Sequence, residues 1–426
     1  MNELIYKSCV TVLQEELLPA MGCTEPIAVA YAAALARRTL GEMPDRVEIS
    51  VSGNILKNVK GVVVPGTGGL KGVISAASAG IVAGRDELQL EVISKVTADD
   101  IEKMKEYMKT ASFEVSQSRS DCIFDIMITV KKGEHSATVR IVGHHTNVVL
   151  IQKDGKDIFV KEETGEQTAP SGADRSLLTV EHILEFAECV KLSDVEELIE
   201  RQISYNTAIA EEGLKNDYGA RIGKTILNNF GKDVHNLAKA TAAAGSDARM
   251  NGCSLPVVIV SGSGNQGMTA SLPVVVYAKH LGVSHEKLLR AVILSDLITI
   301  HLKTGIGRLS AYCGVVSAGC GAGAAVCYLR GGDLEKISAT VDNALAINSG
   351  IVCDGAKSSC AAKIASSVEA GMLGMEMSCS NSNFSFGDGI LGDSVENTID
   401  NVSEMARIGM RATDEEIIRL MIKNIK

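Results

Sequence analysis

The chain has 426 residues and a formal charge of −10, with 42 Lys and Arg against 52 Asp and Glu, and no basic cluster that could neutralise phosphates, so nucleic acid is excluded as a partner. Its length allows two or three domains, and with aromatics at 4%, no Trp and 41 Gly the core is expected to pack closely from small side chains, helix on helix. The 11 cysteines are an odd number, and residues 1–20 carry Glu3, Glu15 and Glu16 instead of an apolar secretory block, which predicts free thiols and a cytoplasmic location.

Residues Glu3 to Leu40 read as helical, broken around Pro19 to Pro26, where the two prolines frame Gly22-Cys23-Thr24-Glu25. Pro26 in a first helical turn places Cys23 at or just before a helix N-terminus, an exposed turn where a thiol is expected to have a depressed pKa. Val47 to Val51 alternates like a strand, and Asn54 to Val64 leads into the Gly-rich turn Pro65 to Gly69 and a small-residue helix over Leu70 to Ala83. Next come a strand-like Leu88 to Ile93, a helix over Thr97 to Lys109, and alternating segments at Phe113 to Ser116, Phe124 to Val130, Ala137 to Ile141, Val148 to Ile151 and Ile158 to Val160. Polar Glu162 to Arg175, with Pro170 and Gly172, reads as a linker.

Beyond Arg175 helical periodicity dominates, punctuated by Gly-rich joints at 262–267, 304–307, 319–323 and 331–332. The longest uncharged runs, Pro26 to Ala36 and Gly314 to Leu329, are shorter than the ~20 residues of a membrane span, so no membrane partner is expected. The predicted class is α+β: a large, mostly helical catalytic domain made of residues 1–87 and 166–426, and a small α+β insert at 88–165 with an antiparallel sheet. Tight small-residue packing is expected to extend to a homodimer.

Cysteine carries the chemistry. Cys353 and Cys360 are seven residues apart, so a helix or a tight loop between them would bring both sulfurs to one metal. Thiolates select iron–sulfur clusters, and three ligands on a four-iron cluster leave one iron open for a substrate. The absence of any CxxC disfavours a zinc ribbon or a ferredoxin-type cluster, although three sulfurs and a water also suit zinc. Cys9, Cys122, Cys189 and Cys327 read as small buried hydrophobes.

The segment Gly262-Ser-Gly-Asn-Gln-Gly267 follows an apolar run from Pro256 and satisfies GxGxxG, but no second strand with a terminal acid follows it. A better reading makes Ser263, Gly264, Asn265 and Gln266 an anion-binding nest for a carboxylate. Asn58, Thr67, His145, Lys303 and Lys357 are candidates for further polar contacts with substrate. No Schiff-base lysine motif is present, so pyridoxal phosphate is not expected.

Taken in order, GCTEP at 22–26, KNVKGVVVPGTGG at 57–69, HTN at 145–147, SGSGNQG at 261–267, GRLSAYCG at 307–314 and CDGAKSSC at 353–360 make the chain resemble the L-cysteine desulfidases. That family is related to the α-chain of iron–sulfur L-serine dehydratases, and the resemblance covers nearly the whole length. It implies a [4Fe–4S] cluster with one open iron on Cys313, Cys353 and Cys360, with Cys320 a neighbouring competitor for Cys313. It also implies Cys23 as proton acceptor and a small amino-acid substrate, with α,β-elimination of L-cysteine to pyruvate, ammonia and hydrogen sulfide. L-serine dehydration and a non-enzymatic iron–sulfur sensor are the other functions in view.

Overall fold

A computed structural model describes residues 1–118, 120, 122–161, 173–307 and 309–423. The chain opens with α1 (Glu3–Glu16), whose first turn is closed by the Asn2 side chain accepting the Leu4 N–H. The strand β1 (Pro19–Met21) separates it from α2 (Thr24–Leu40), so the helical stretch breaks between the two prolines as predicted. Next come β2 (Arg46–Val51), α3 (Gly53–Val59) and α4 (Val73–Ala83). α2 is buried nearly all round because its alanines let a neighbour approach closely. On the α4 side, a Cβ on Gly80 would stand 2.0 Å from the Ala30 carbonyl oxygen.

The helix α5 (Ala98–Thr110) starts in a reciprocal capping box between Thr97 and Asp100. The strands β3 (Ser112–Gln117), β4 (Asp125–Lys132), β5 (His135–Val142), β6 (Val148–Lys153) and β7 (Lys156–Val160) follow. The sheet runs β3-β2-β4-β5-β6-β7, and Val47, Ile49, Val51, Ile126, Ile128 and Val130 are buried, with α2 packed against β4 and β5.

The class is α+β and mostly helical, as expected, with two details changed. The sheet is largely antiparallel but includes one parallel pairing, and it takes β2 from outside residues 88–165. β2 pairs in parallel with β3 because α3, α4 and α5 form the crossover between them, whereas the later strands join antiparallel through short turns. The second concerns Leu88 to Ile93, which is no strand: Asp86–Glu91 forms tight helical turns with Gln89 at φ 48°, and the chain folds back so that the Arg85 N–H donates to the Val92 carbonyl. Most of the proposed linker, 162–172, lies outside the described residues.

The C-terminal half is helical: α6 (Val180–Cys189), α7 (Glu196–Lys215), α8 (Ile222–Asn229) and α9 (Val234–Met250) precede the strand β8 (Pro256–Val258). α10 (Gly264–Leu281), α11 (His285–Ile306), α12 (Val315–Leu329), α13 (Leu334–Ile347), α14 (Cys360–Cys379), α15 (Val395–Glu404) and α16 (Arg411–Lys423) complete it. Every residue of α12 is buried, with α10, α11, α13 and α14 packed around it. Contact with α14 is closest at Gly371, where a Cβ would lie 2.1 Å from the Gly319 carbonyl oxygen. β1 pairs antiparallel with β8, Pro19 opposite Val258, and this stitch brings the Cys23 turn to the helical half. No described helix is long and apolar enough to cross a membrane.

Candidate active site

Cys23 is the N-cap of α2, as the prolines predicted. The turn before it needs glycine twice over: Gly22 has φ 53°, and a Cβ there would lie 2.0 Å from Pro65 Cγ. With Pro65 closed over the turn and β1 paired to β8, Cys23 is only 2% exposed. Its thiol donates to Glu25 Oε2 at 3.0 Å. Glu25 also accepts from the Thr24 hydroxyl at 3.2 Å and from Asn58 Nδ2 at 3.3 Å. Burial first, and then the Glu25 charge, hold the Cys23 thiol well above its usual pKa, with the Arg249 guanidinium opposing them. The expected exposed, acidic thiol is therefore corrected: tertiary packing seals a turn whose local sequence would open it.

Cys313 and Cys353 are set side by side by a short antiparallel contact. The Cys313 N–H donates to the Ile351 carbonyl at 2.9 Å and the Cys353 N–H to the Ala311 carbonyl at 2.6 Å. The Cys313 thiol donates to Cys353, bringing Cys353 down to about 6 against the burial that opposes it, helped by the charges of Lys57 and Lys363. Cys313 is correspondingly pushed well above the thiol range, so the pair gives up its first proton readily and its second with difficulty. Lys57 is held in place by an ion pair with Asp414 of α16 at 2.5 Å, and reaches the Cys353 carbonyl at 3.5 Å.

Between Cys353 and Cys360 the chain forms a loop, and Cys360 opens α14. There it packs with Cys23, Val62, Met250 and Ala356, and burial raises its pKa. All eleven cysteines are free.

These elements enclose a cavity of about 100 Å³ lined by Cys23, Glu25, Lys57, Asn58, Arg249, Ser263, Asn265, Gln266, Lys303, Tyr312, Cys313, Cys353 and Cys360, among others. A larger cavity of about 460 Å³ adjoins it, sharing Lys303 and Leu309, but the cysteines line the smaller one. Among the described residues no three His, Cys, Asp or Glu side chains stand close enough together to hold a single metal ion.

Of the polar candidates, Asn58, Ser263, Asn265, Gln266 and Lys303 meet at this cavity. Gly264, the first residue of α10, lies against the Arg249 guanidinium, where a Cβ would stand 2.6 Å from Nε. Three candidates are placed elsewhere. Thr67 donates to the Val64 carbonyl beneath the Gly-rich turn, His145 stands edge-on to Phe124, and Lys357 turns back to the Asp354 and Gly355 carbonyls. Cys320 lies inside α12, where burial pushes its thiol up to about 12, and it does not line the cavity.

Glu25, Lys57, Arg249 and Tyr312 went unrecognised in the sequence. Glu25 could have been found, since it sits two residues from Cys23 at the start of a helix. Arg249 resembles any basic residue in the last turn of a helix until its burial is known.

The family model described as the serine dehydratase alpha chain matches residues 87–419, a span that contains Cys313, Cys353 and Cys360 but not Cys23. A UPF0597 protein of Desulfitobacterium hafniense is 53% identical, over 98% of this chain and 97% of its own length. One from Lachnoclostridium phytofermentans is 51% identical over 98% and 100%, and one from Treponema denticola 44% identical over 98% of each. This chain belongs to the serine dehydratase alpha-chain family.

Proposed function

We propose that this protein is an iron–sulfur-dependent lyase that eliminates sulfide from L-cysteine, yielding pyruvate, ammonia and hydrogen sulfide. The observation that carries this reading is the meeting of Cys313, Cys353 and Cys360 with the Cys23–Glu25 pair in one small cavity. Three free thiols lining one cavity are the donor set an iron–sulfur cluster takes. Cys313, Cys353 and Cys360 would hold a [4Fe–4S] cluster, which supplies a Lewis acid to the reaction when bound.

The chain's own residues do the rest. Glu25 Oε2, 3.0 Å from Cys23 Sγ, takes the thiol proton, and the positive Arg249 favours the resulting thiolate. Cys23 then removes the substrate Cα proton as general base while the Cβ–S bond breaks. The 2-aminoacrylate so formed tautomerises and hydrolyses to pyruvate and ammonia without further help. Asn58 Nδ2 donates to Glu25 Oε1 and keeps that carboxylate aimed at Cys23. The start of α10, with Ser263, Asn265 and Gln266, presents N–H groups to an anionic end of the substrate. A cytoplasmic location and a homodimer are part of the proposal, the first supported by the free thiols.

The test is an anaerobic product assay of the iron-loaded protein. L-cysteine is expected to give sulfide and pyruvate in equal amounts, and a Cys23→Ser protein to keep its iron but lose turnover. The family match favours a second reading, L-serine dehydration at the same site. Pyruvate from L-serine, with none from L-cysteine, would establish that reading instead.

A further inference from the structure

Arg249 lies in the last turn of α9, where the helix dipole favours a cation. It is 2% exposed, the largest of the fully buried side chains. Among the described residues its only hydrogen-bond partner is Asn265, whose Oδ1 accepts from Nη1 at 3.1 Å, and its Nε has no partner. An unpaired guanidinium buried to this degree is costly, and a buried N–H without an acceptor adds to that cost. The Glu25 carboxylate acts on it through space without making an ion pair.

The surroundings are shaped for a planar anion. The N-terminus of α10, a helix of 18 residues, ends against the guanidinium, so its free N–H groups and the Arg249 fork converge on the cavity lined by Cys23 and the three other cysteines. Glycine at position 264 is what permits this approach, because a Cβ would lie 2.6 Å from Nε and 2.9 Å from Cζ. A carboxylate matches the guanidinium in charge and geometry and accepts two parallel N–H bonds. Gln266 Oε1, also buried and without a partner, offers an acceptor nearby, suited to an ammonium group.

We infer that Arg249, with the first turn of α10, holds the α-carboxylate of the substrate and so restricts this site to substrates whose α-carboxylate is free. The inference rests on the reading that the cavity acts on an amino acid, and it adds the residue that reads the carboxylate. Amides, decarboxylated amines and peptides in which the residue's α-carboxyl is tied up in a peptide bond are then excluded, because they leave the guanidinium buried and unpaired.

Calorimetry of the anaerobic, iron-loaded protein with L-alanine and L-alaninamide tests this. The two ligands differ only in the carboxylate, and neither carries a leaving group. Wild type is expected to prefer L-alanine by roughly tenfold to a hundredfold, the range for a charge-assisted pair, and Arg249→Met to abolish that preference while its cluster absorption stays unchanged. Equal binding of the two ligands by wild type, or a preference that survives in folded R249M, overturns the inference; the latter result would leave Arg249 merely balancing the Glu25 charge. If R249M does not fold, Gly264→Ala carries the test, since its Cβ pushes the guanidinium aside and is expected to remove the same preference. The two readings fail separately. An Arg249-dependent preference in a protein that turns over no amino acid refutes the lyase and keeps the inference, whereas turnover of L-cysteine with a preference indifferent to Arg249 does the reverse.

Discussion

At Cys23 the distance to a carboxylate matters more than the helix start. Its N-cap position was legible in Pro26 and the GCTEP turn, but burial and the neighbouring Glu25 raise its pKa where a helix N-terminus alone would lower it. In the proposed elimination, proton acceptance is thus assigned to the Cys23–Glu25 pair. Glu25→Gln, which keeps size and removes the acceptor charge, is expected to slow elimination about a hundredfold with iron content unchanged, read as pyruvate release against bound iron. Full activity in that variant would leave Cys23 without its partner. Arg249 was invisible as a site residue because sequence patterns report periodicity, while the absence of a partner for a buried guanidinium is a fact of tertiary structure.

Among the elements, α12 and α14 fix the distance between Cys313, just before one, and Cys360, which starts the other. Their closest approach is the bare backbone at Gly371 and Gly319, so Gly371→Ala is expected to cost about 1–3 kcal/mol and to lower iron incorporation, measured by urea unfolding and iron analysis. α16 acts at the same site through Asp414. Asp414→Asn leaves the buried Lys57 without its counter-ion and is expected to destabilise the protein by about 3 kcal/mol. In α11, Asp296 accepts from Gln202 at 2.9 Å, and burial raises its carboxyl to about 8. A carboxyl raised in the fold binds its proton more tightly there than in the unfolded chain, so stability falls as pH rises between the two values. The loss is up to about 1.4 kcal/mol per pH unit. Asp296→Asn is expected to remove that slope, so the stability difference between variant and wild type should grow in the variant's favour from pH 5 to pH 8; a difference independent of pH would refute the assignment.

Across the whole molecule, the helical half and all six strands of the larger sheet were legible from periodicity, and the four cysteines of the cavity were named from their motifs. What escaped was partnership at long range. β2 joins a sheet whose other strands begin more than sixty residues later, and a single alternating run does not announce that crossover. Leu88 to Ile93 alternates like a strand but coils instead, with Gln89 at φ 48° breaking the extended run. Thr67, His145 and Lys357 stand in motifs that build the walls and turns around the site. The central claim is that thiols from distant segments form one cluster-dependent elimination site. It is tested most directly by following the visible absorption and the sulfide output of anaerobically reconstituted wild type and Cys353→Ser together. The account predicts a brown chromophore and steady sulfide release from L-cysteine in wild type, both lost in C353S; sulfide release that continues in C353S after its chromophore has gone would contradict it.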